Sequence, residues 1–386
     1  MNELKKVMVI GGGIAGLTTA YELSLFGVHV DLIEKSCFLG GHAIGYSCKA
    51  AEECVQCGAC SVEDMLKKVV EQDNIDVHLS TEITSVQNGK THKVTLSKSE
   101  LSEDDKESAL LRGFSINNKP LNVIINKETC GSIPEGSVDY SELGFEGEIE
   151  VDAVVLATGF SAFDASIKSQ LSYKEFDNVI NGLELEQIKR ETGKLLRPSD
   201  GKQAKKIAFI QCVGSRDERL GNLWCSQVCC SYALKTARSL KYKDQELDVT
   251  VFYMDIQNTG RDFPVFYEKC KDDIKFLRTI PADIYPAEND DLLIRYMVEE
   301  DGNPANETYD LVALSVGIMP GDDNEKISKL LGTGLDSDGF ITNGGAGTDQ
   351  EGVFVTGTAT GPANISTVIA QSDQAACEVL KYLGVS

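Results

Sequence analysis

The stretch Lys6-VMVIGGGIAGLTTAYEL constrains the fold of this 386-residue chain more than any other segment. An apolar strand runs into a glycine turn and then a helix, with Gly11, Gly13 and Gly16 at G-x-G-x-x-G spacing and Ala15 inside the turn. The first glycine permits the tight turn and the second lets the backbone approach a pyrophosphate. The third lets the helix pack closely on the strand, with the helix N-terminus facing the phosphates. A second strand, Val28-HVDLIE, ends at Glu34, about 20 residues after the glycines, where an acid meets ribose hydroxyls. The apolar run from Val7 to Leu25 has the length of a membrane span, but four glycines cut it and charged, amphipathic sequence follows. A dinucleotide-binding strand–turn–helix is therefore expected, with no membrane span here or elsewhere.

FAD rather than NAD is favoured by Lys35, by the Gly40-Gly41 pair with His42 beside it, and by two distant segments. Asp152-AVVLATGF is a strand ending at Thr158-Gly159, and Gly352-VFVTGTATGP is another strand that opens on Gly357-Thr358 before a helix. This trio resembles the two-dinucleotide-binding-domain flavoproteins, such as thioredoxin and glutathione reductases. The resemblance implies an α/β fold in which a discontinuous FAD domain encloses a second nucleotide-binding domain. The boundaries expected are 1–200 for the first part of the FAD domain, with a Cys-rich insertion at 48–60, then 201–290 for the second domain and 291–386 for the return. That family carries Gly-Asp at the last turn, whereas Gly357-Thr358 stands here, so the contact with the ribityl chain must differ. In the second domain, Lys206-IAFIQCVG, a helix near 226–241 and Leu247-DVTVFYMDI alternate as expected. The turn Gln211-CVGSRDERLG, however, lacks the second glycine needed for close pyrophosphate approach. A degenerate NAD-type domain follows from that loss.

Charge and cysteine content narrow the partners. Thirty-seven basic residues face 60 acids, a net charge of −23, which opposes nucleic acid and anionic lipid. The N-terminal Met1-NELKK has no signal-peptide build, so a cytoplasmic setting is expected, where 12 cysteines point to metal binding or redox chemistry rather than cross-links. Cys48, Cys54, Cys57 and Cys60 form a C-x5-C-x2-C-x2-C run. A zinc clip wants separated pairs or nearby histidines, and His42 is the only close one, although tetrathiolate zinc stays open. A flavin-linked dithiol would account for two of the four. The repeated C-x2-C matches the ferredoxin triplet that wraps a [4Fe–4S] cube, with Cys48 as upstream fourth ligand, and this is the favoured reading.

A second group, Cys212, Cys225, Cys229 and Cys230, has spacing C-x12-C-x3-C-C, which generic rules assign to no metal. The segments CVGSRD, WCSQVCCSYALK, FYMDIQNTGRDFPVFY and GTATGP resemble the A subunit of heterodisulfide reductase and its relatives in soluble heterodisulfide-reductase-like complexes. This resemblance runs from Val7 to about Leu380. It implies a [4Fe–4S] cluster on Cys212, Cys225, Cys229 and Cys230 close to the flavin, and places the Lys235 ammonium near the flavin N5 as the catalytic group. It also implies an electron-transfer subunit that moves electrons between FAD and partner iron–sulfur subunits, as a homo-oligomer within a larger complex. Larger versions carry an inserted ferredoxin domain before the ATG strand. Here residues 97–150 are polar with Cys130 alone, and 97–110 read as a solvated loop. The alternatives are an NAD(P)H-dependent dithiol or disulfide reductase, weakened by the degraded turn, and a flavin-bearing scaffold with structural zinc.

Overall fold

The computed structural model describes residues 4–101, 114–116, 119–121, 144–258 and 260–385. They fall into two compact units, one built from Met1–Ile44, Gly58–Ser161 and Pro320–Ser386, the other from Gly45–Cys57 and Ala162–Met319.

The first unit is organised on a five-stranded parallel sheet in the order Val353–Val355, Ala153–Leu156, Lys6–Ile10, His29–Ile33, Ile75–His78. Lys6–Ile10 lies at its centre because a strand covered on both faces needs an unbroken apolar run, and Val7, Met8 and Val9 are fully buried. Met8 and Ile10 point to one face, where they meet Ile83, Val94, Leu96 and Val151 of an antiparallel three-stranded meander. The helices Ile14–Leu25 and Ile365–Leu383 pack against each other in the same unit. Two strands from 140 and more residues downstream complete this sheet, as the ATG and GTATGP segments led us to expect.

The second unit repeats the theme with the parallel order Val179–Asn181, Leu311–Val316, Lys206–Val213, Asp248–Phe252, Lys275–Leu277. One side of the sheet packs Phe209 and Val251 against Ala233, Leu234 and Ala237 of the helix Cys229–Lys243. The other packs Phe252 and Leu314 against Ile294 and Tyr309 of a three-stranded antiparallel sheet. The helix Gly182–Thr192 opens on a capping box, in which the Asn181 side chain accepts from Leu183 and Glu184 N–H while Glu184 accepts from Asn181 N–H.

The boundaries differ from those expected at 200 and 290. Val179–Asn181 and Leu311–Val316 are strands of the second sheet, so the chain passes between units near residues 161 and 319. The Cys-rich segment is not an insertion of the first unit alone either, because residues 45–57 belong to the second unit and Cys60 to the first. The expected loop over 97–110 lies outside the described residues from 102 onward, as does Cys130.

Phe209 is fully buried on the central strand of the second sheet. Replacing it with alanine removes the ring from both the sheet and the helix Cys229–Lys243, a loss of about 3–5 kcal/mol for a cavity of this kind. Denaturant unfolding of F209A should show a lower midpoint at unchanged slope; an unmoved midpoint would contradict the packing described.

Candidate functional site

In the first unit the predicted glycines each answer a distinct steric demand. Gly11 has φ +110°, and a Cβ there would lie 2.3 Å from the Ala157 carbonyl oxygen. A Cβ on Gly16 would fall 1.8 Å from the Gly11 carbonyl oxygen, so helix and strand meet backbone to backbone. A Cβ on Gly13 would meet nothing within 4 Å, and the same is true of Gly159. These positions border open space at the carboxyl ends of the strands, where a pyrophosphate would lie. The turn is locked by Glu34, whose two oxygens accept Gly12 N–H at 2.7 Å and Ser36 N–H at 2.8 Å. Gly40 N–H donates to Gly12 O at 2.7 Å, bringing Gly41 alongside Gly13. Ala15 is buried where a Cβ on Gly357 would touch its methyl group at 2.8 Å, and Thr358 follows in the single turn Gly357–Thr360. Thr158 lies 3.5 Å from Asn324 Oδ1. Lys35 is exposed and ion-paired with Asp323 at 2.5 Å, and His42 Nε2 sits 3.2 Å from Phe160 O.

In the second unit the corresponding strand ends differently. Pairing of Lys206–Val213 with Leu311–Val316 shifts register between Ile210 and Val213, and Cys212 takes φ +58°. Arg216 (φ +55°) and Gln227 (φ +61°) adopt the same left-handed conformation, which costs a non-glycine residue about 1–2 kcal/mol. Three such residues in one cysteine-bearing loop mark a geometry held by its surroundings. Trp224 donates to Ile318 O at 2.9 Å, Ser226 Oγ accepts Ile318 N–H at 2.8 Å, and Asn222 donates to Gly214 O at 2.8 Å. Arg216 grips Asp255 through two hydrogen bonds and holds that carboxyl below the usual carboxylate range.

The loop delivers Cys225 to the start of the helix Cys229–Lys243, whose first turn carries Cys229 and Cys230, both buried. Burial pushes the Cys229 thiol up, and the neighbouring Cys212, Cys230 and Cys225 sulfurs push it further. Cys230 rises to about 11 by burial, with Cys212 and Cys225 adding to it, and burial also raises Cys212. The four predicted sulfurs thus share one neighbourhood at a helix N-terminus. Gln211 beside them is buried, and neither of its amide atoms has a hydrogen-bond partner. A polar group bound among the cysteines would supply the partner that a buried amide needs.

Residues 45–57 are tied to two helices of the same unit. Ser47 donates through both its N–H and Oγ to Glu186 Oε2, at 2.8 and 2.6 Å, and the Lys49 ammonium lies 2.7 Å from Glu186 Oε1. Arg190 donates to Tyr46 O, Ser239 to Ala50 O, and Lys235 Nζ lies 3.5 Å from Gln56 O. Lys235 therefore stands over the segment that carries Cys54 and Cys57. Burial lowers its pKa, while the two cysteines raise it. Cys48 and Cys54 are exposed, Cys57 is half-buried, and Cys60 is exposed in the first turn of the helix Ala59–Val70. Among the described residues, no three cysteine sulfurs lie within 4.8 Å of one another, the closeness that a single metal ion asks for. A four-iron cube is wider. Glu186, Lys49 and Lys189 were not singled out in the sequence; their one trace there is the i, i+3 spacing of Glu186 and Lys189 on one helix face.

The glycine turn, the returning strands and the doubled parallel sheet define a class. The pyridine nucleotide-disulphide oxidoreductase model matches residues 5–208, over half of the chain, and the chain belongs to that oxidoreductase family. Within that family it is similar to A subunits of heterodisulfide reductases. It is 33% identical over 417 residues to the A subunit of the H(2):CoB-CoM heterodisulfide,ferredoxin reductase of Methanothermobacter thermautotrophicus, covering 96% of this chain and 63% of the relative. It is 30% identical over 420 residues to the iron-sulfur A subunit of the CoB--CoM heterodisulfide reductase of Methanocaldococcus jannaschii, covering 97% and 64%. The chain thus spans less than two thirds of the length of these relatives. The fold is also that of Lactococcus lactis thioredoxin reductase, at TM-score 0.60 and 15% identity, with 98% of this chain and 99% of that one covered.

Lys189 supplies a test of the buried charges. Burial would raise Glu186, but the ammonium groups of Lys49 and Lys189 outweigh it and hold the carboxyl below its usual range. Burial pushes Lys189 down to about 8 against the pull of Glu186, and its Nζ has no hydrogen-bond partner. Between about pH 8 and the ordinary lysine range, the unfolded chain keeps a proton that the folded chain has released, so this group makes stability rise with pH there. Lys189→Met removes the buried ammonium. K189M should be more stable than wild type at about pH 7.5, and that advantage should shrink as pH is raised toward about 10.5; a constant difference in unfolding free energy across the window would contradict the assignment.

Proposed function

We propose that this chain is the FAD- and [4Fe–4S]-containing electron-transfer subunit of a heterodisulfide-reductase-like complex. The observation that carries the reading is the quartet Cys212, Cys225, Cys229 and Cys230. It occupies the strand-to-helix turn where a second nucleotide domain would hold a pyrophosphate. The relatives, named as A subunits of heterodisulfide reductases and in one case as an iron-sulfur subunit, support both the cluster and the partner subunits. When bound, FAD supplies two-electron chemistry and the clusters one-electron steps.

The residues fit these groups. Gly13 and Gly159 leave space that a pyrophosphate and its flavin would fill, Gly11, Gly16 and Ala15 shape the turn, and Glu34, both of whose oxygens already accept backbone N–H groups, would meet the ribose through its remaining acceptor capacity. Lys35, Gly41, His42, Thr158, Gly357 and Thr358 would complete the flavin contacts. The cysteine quartet offers four thiolate donors at a helix N-terminus, whose partial positive charge favours the anionic ligand set. Because burial raises these thiols, ligation must displace their protons, so cluster uptake releases protons. Cys48, Cys54 and Cys57 would contribute ligands to a second cluster. Lys235 sets its amine at the 54–57 loop, where as an ammonium it would stabilise negative charge on a cluster held there. The helix Cys229–Lys243 carries one cysteine group on its first turn and steadies the loop of the other through Lys235 and Ser239, about 8–15 Å further along its axis at about 1.5 Å per residue.

Gly13→Val tests the flavin assignment, since its new side chain enters open space and leaves the fold intact. The variant should purify folded and without flavin absorbance; stoichiometric FAD in G13V would sink the assignment. Cys225→Ser, analysed after anaerobic purification, should lower iron by about four atoms per chain and remove one reduced-state EPR signal. Unchanged iron, or stoichiometric zinc in its place, would replace the cluster with the scaffold reading.

A further inference from the structure

The geometry points to a divalent first-row transition-metal site on the edge of the first unit's sheet, formed by His29, Asp31 and Asp76. It owes nothing to the flavin or the cysteines. His29 and Asp31 are two residues apart on the strand His29–Ile33 and so share a face. Asp76 is the register partner of Asp31 on the parallel edge strand Ile75–His78, which sets the two carboxylates opposite one another. The imidazole nitrogen and the two carboxylate oxygens all lie within 4.8 Å of one another, with His29 Nε2 3.2 Å from Asp76 Oδ2. Ligands held at the usual zinc bond lengths around a tetrahedral ion stand about 3.3 Å apart, so that edge is already in place.

Two further features point to a cation. Like charges directly opposite on a ladder repel, and Asp31 is only 5% exposed, so water does little to relieve it. A divalent ion between the two carboxylates would offset that repulsion. His78, nine-tenths buried, aims Nε2 at Asp31 Oδ1 at 2.9 Å, and its Nδ1 has no hydrogen-bond partner. The polar edge of the ring is thus anchored only through the carboxylate it orients, the usual arrangement of a group positioning a metal ligand from behind. Asp76 is exposed and provides the entry path and a place for a completing water. One nitrogen and two oxygens suit zinc, cobalt, manganese or iron(II) better than soft-metal chemistry. The ion would clamp the edge strand to its neighbour at the end of the strand opposite Glu34.

The test compares wild type with Asp76→Asn and with His29→Gln, both at partly exposed side chains, each loaded with flavin and cluster and equilibrated with zinc. Wild type should retain one more zinc per chain than either variant and bind it about tenfold tighter or more, with iron and flavin equal in all three. Cobalt substituted at this site should give weak visible bands without the intense thiolate charge-transfer absorption of cysteine-bound metal. Equal zinc in wild type and variants, or cobalt that shows only the thiolate signature, would overturn the site. Should D76N lose flavin through misfolding, H29Q alone decides by the same zinc difference. Iron and flavin content report separately on the proposed function.

Discussion

The first unit depends on one contact between backbones. A side chain on Gly16 would collide with the Gly11 carbonyl oxygen, and one on Gly11 with the Ala157 carbonyl oxygen. Because both are glycine, the strand Lys6–Ile10 can turn directly into the helix Ile14–Leu25 beneath the strand Ala153–Leu156. That closeness brings Glu34 to the Gly12 amide and Gly40 to the Gly12 carbonyl, and it leaves the space beside Gly13 and Gly159 clear of side chains.

The second unit keeps the parallel sheet and gives up that contact. Where glycines would turn the strand into a helix, the ladder shifts register and Cys212 enters the left-handed region. A loop fastened by Trp224, Ser226 and the Arg216–Asp255 pair then leads to a helix that begins with two buried cysteines. Buried thiols resist ionisation, and Gln211 is left with an unsatisfied amide beside them. The unpartnered amide is costly in isolation, and a group that accepts hydrogen bonds would satisfy its Nε2. The buried Lys49–Glu186 pair fixes the other cysteine segment on the same unit; breaking such a pair strands a charge in the interior, which makes the attachment firm.

Much of this was legible in the sequence because it is local. The glycine spacing, the apolar run of Lys6–Ile10 and the acid at Glu34 each report on neighbours within a few tens of residues. The ATG and GTATGP strands were readable because each pairs an apolar run with a turn, and they take the places expected beside the first strand. The unit boundaries were not legible, since Val179–Asn181 is too short to announce itself and its partner lies more than 130 residues away. Nor was the attachment of residues 45–57, which rests on Glu186, an acid that looks like any other on a polar helix until burial shows what it holds. Lys235 was singled out, but its place over the Cys54–Cys57 loop follows from that same long-range attachment.

Under the proposed function, the second unit has exchanged a nicotinamide site for a cysteine-held electron carrier. The direct test is to mix the anaerobic, flavin-loaded protein with excess NADH or NADPH and follow the flavin absorbance by stopped flow. The exchange predicts no bleaching on the timescale of turnover, with prompt bleaching by a low-potential one-electron donor as control. Rapid, stoichiometric bleaching by either nucleotide would contradict it and restore the nicotinamide-dependent dithiol reductase.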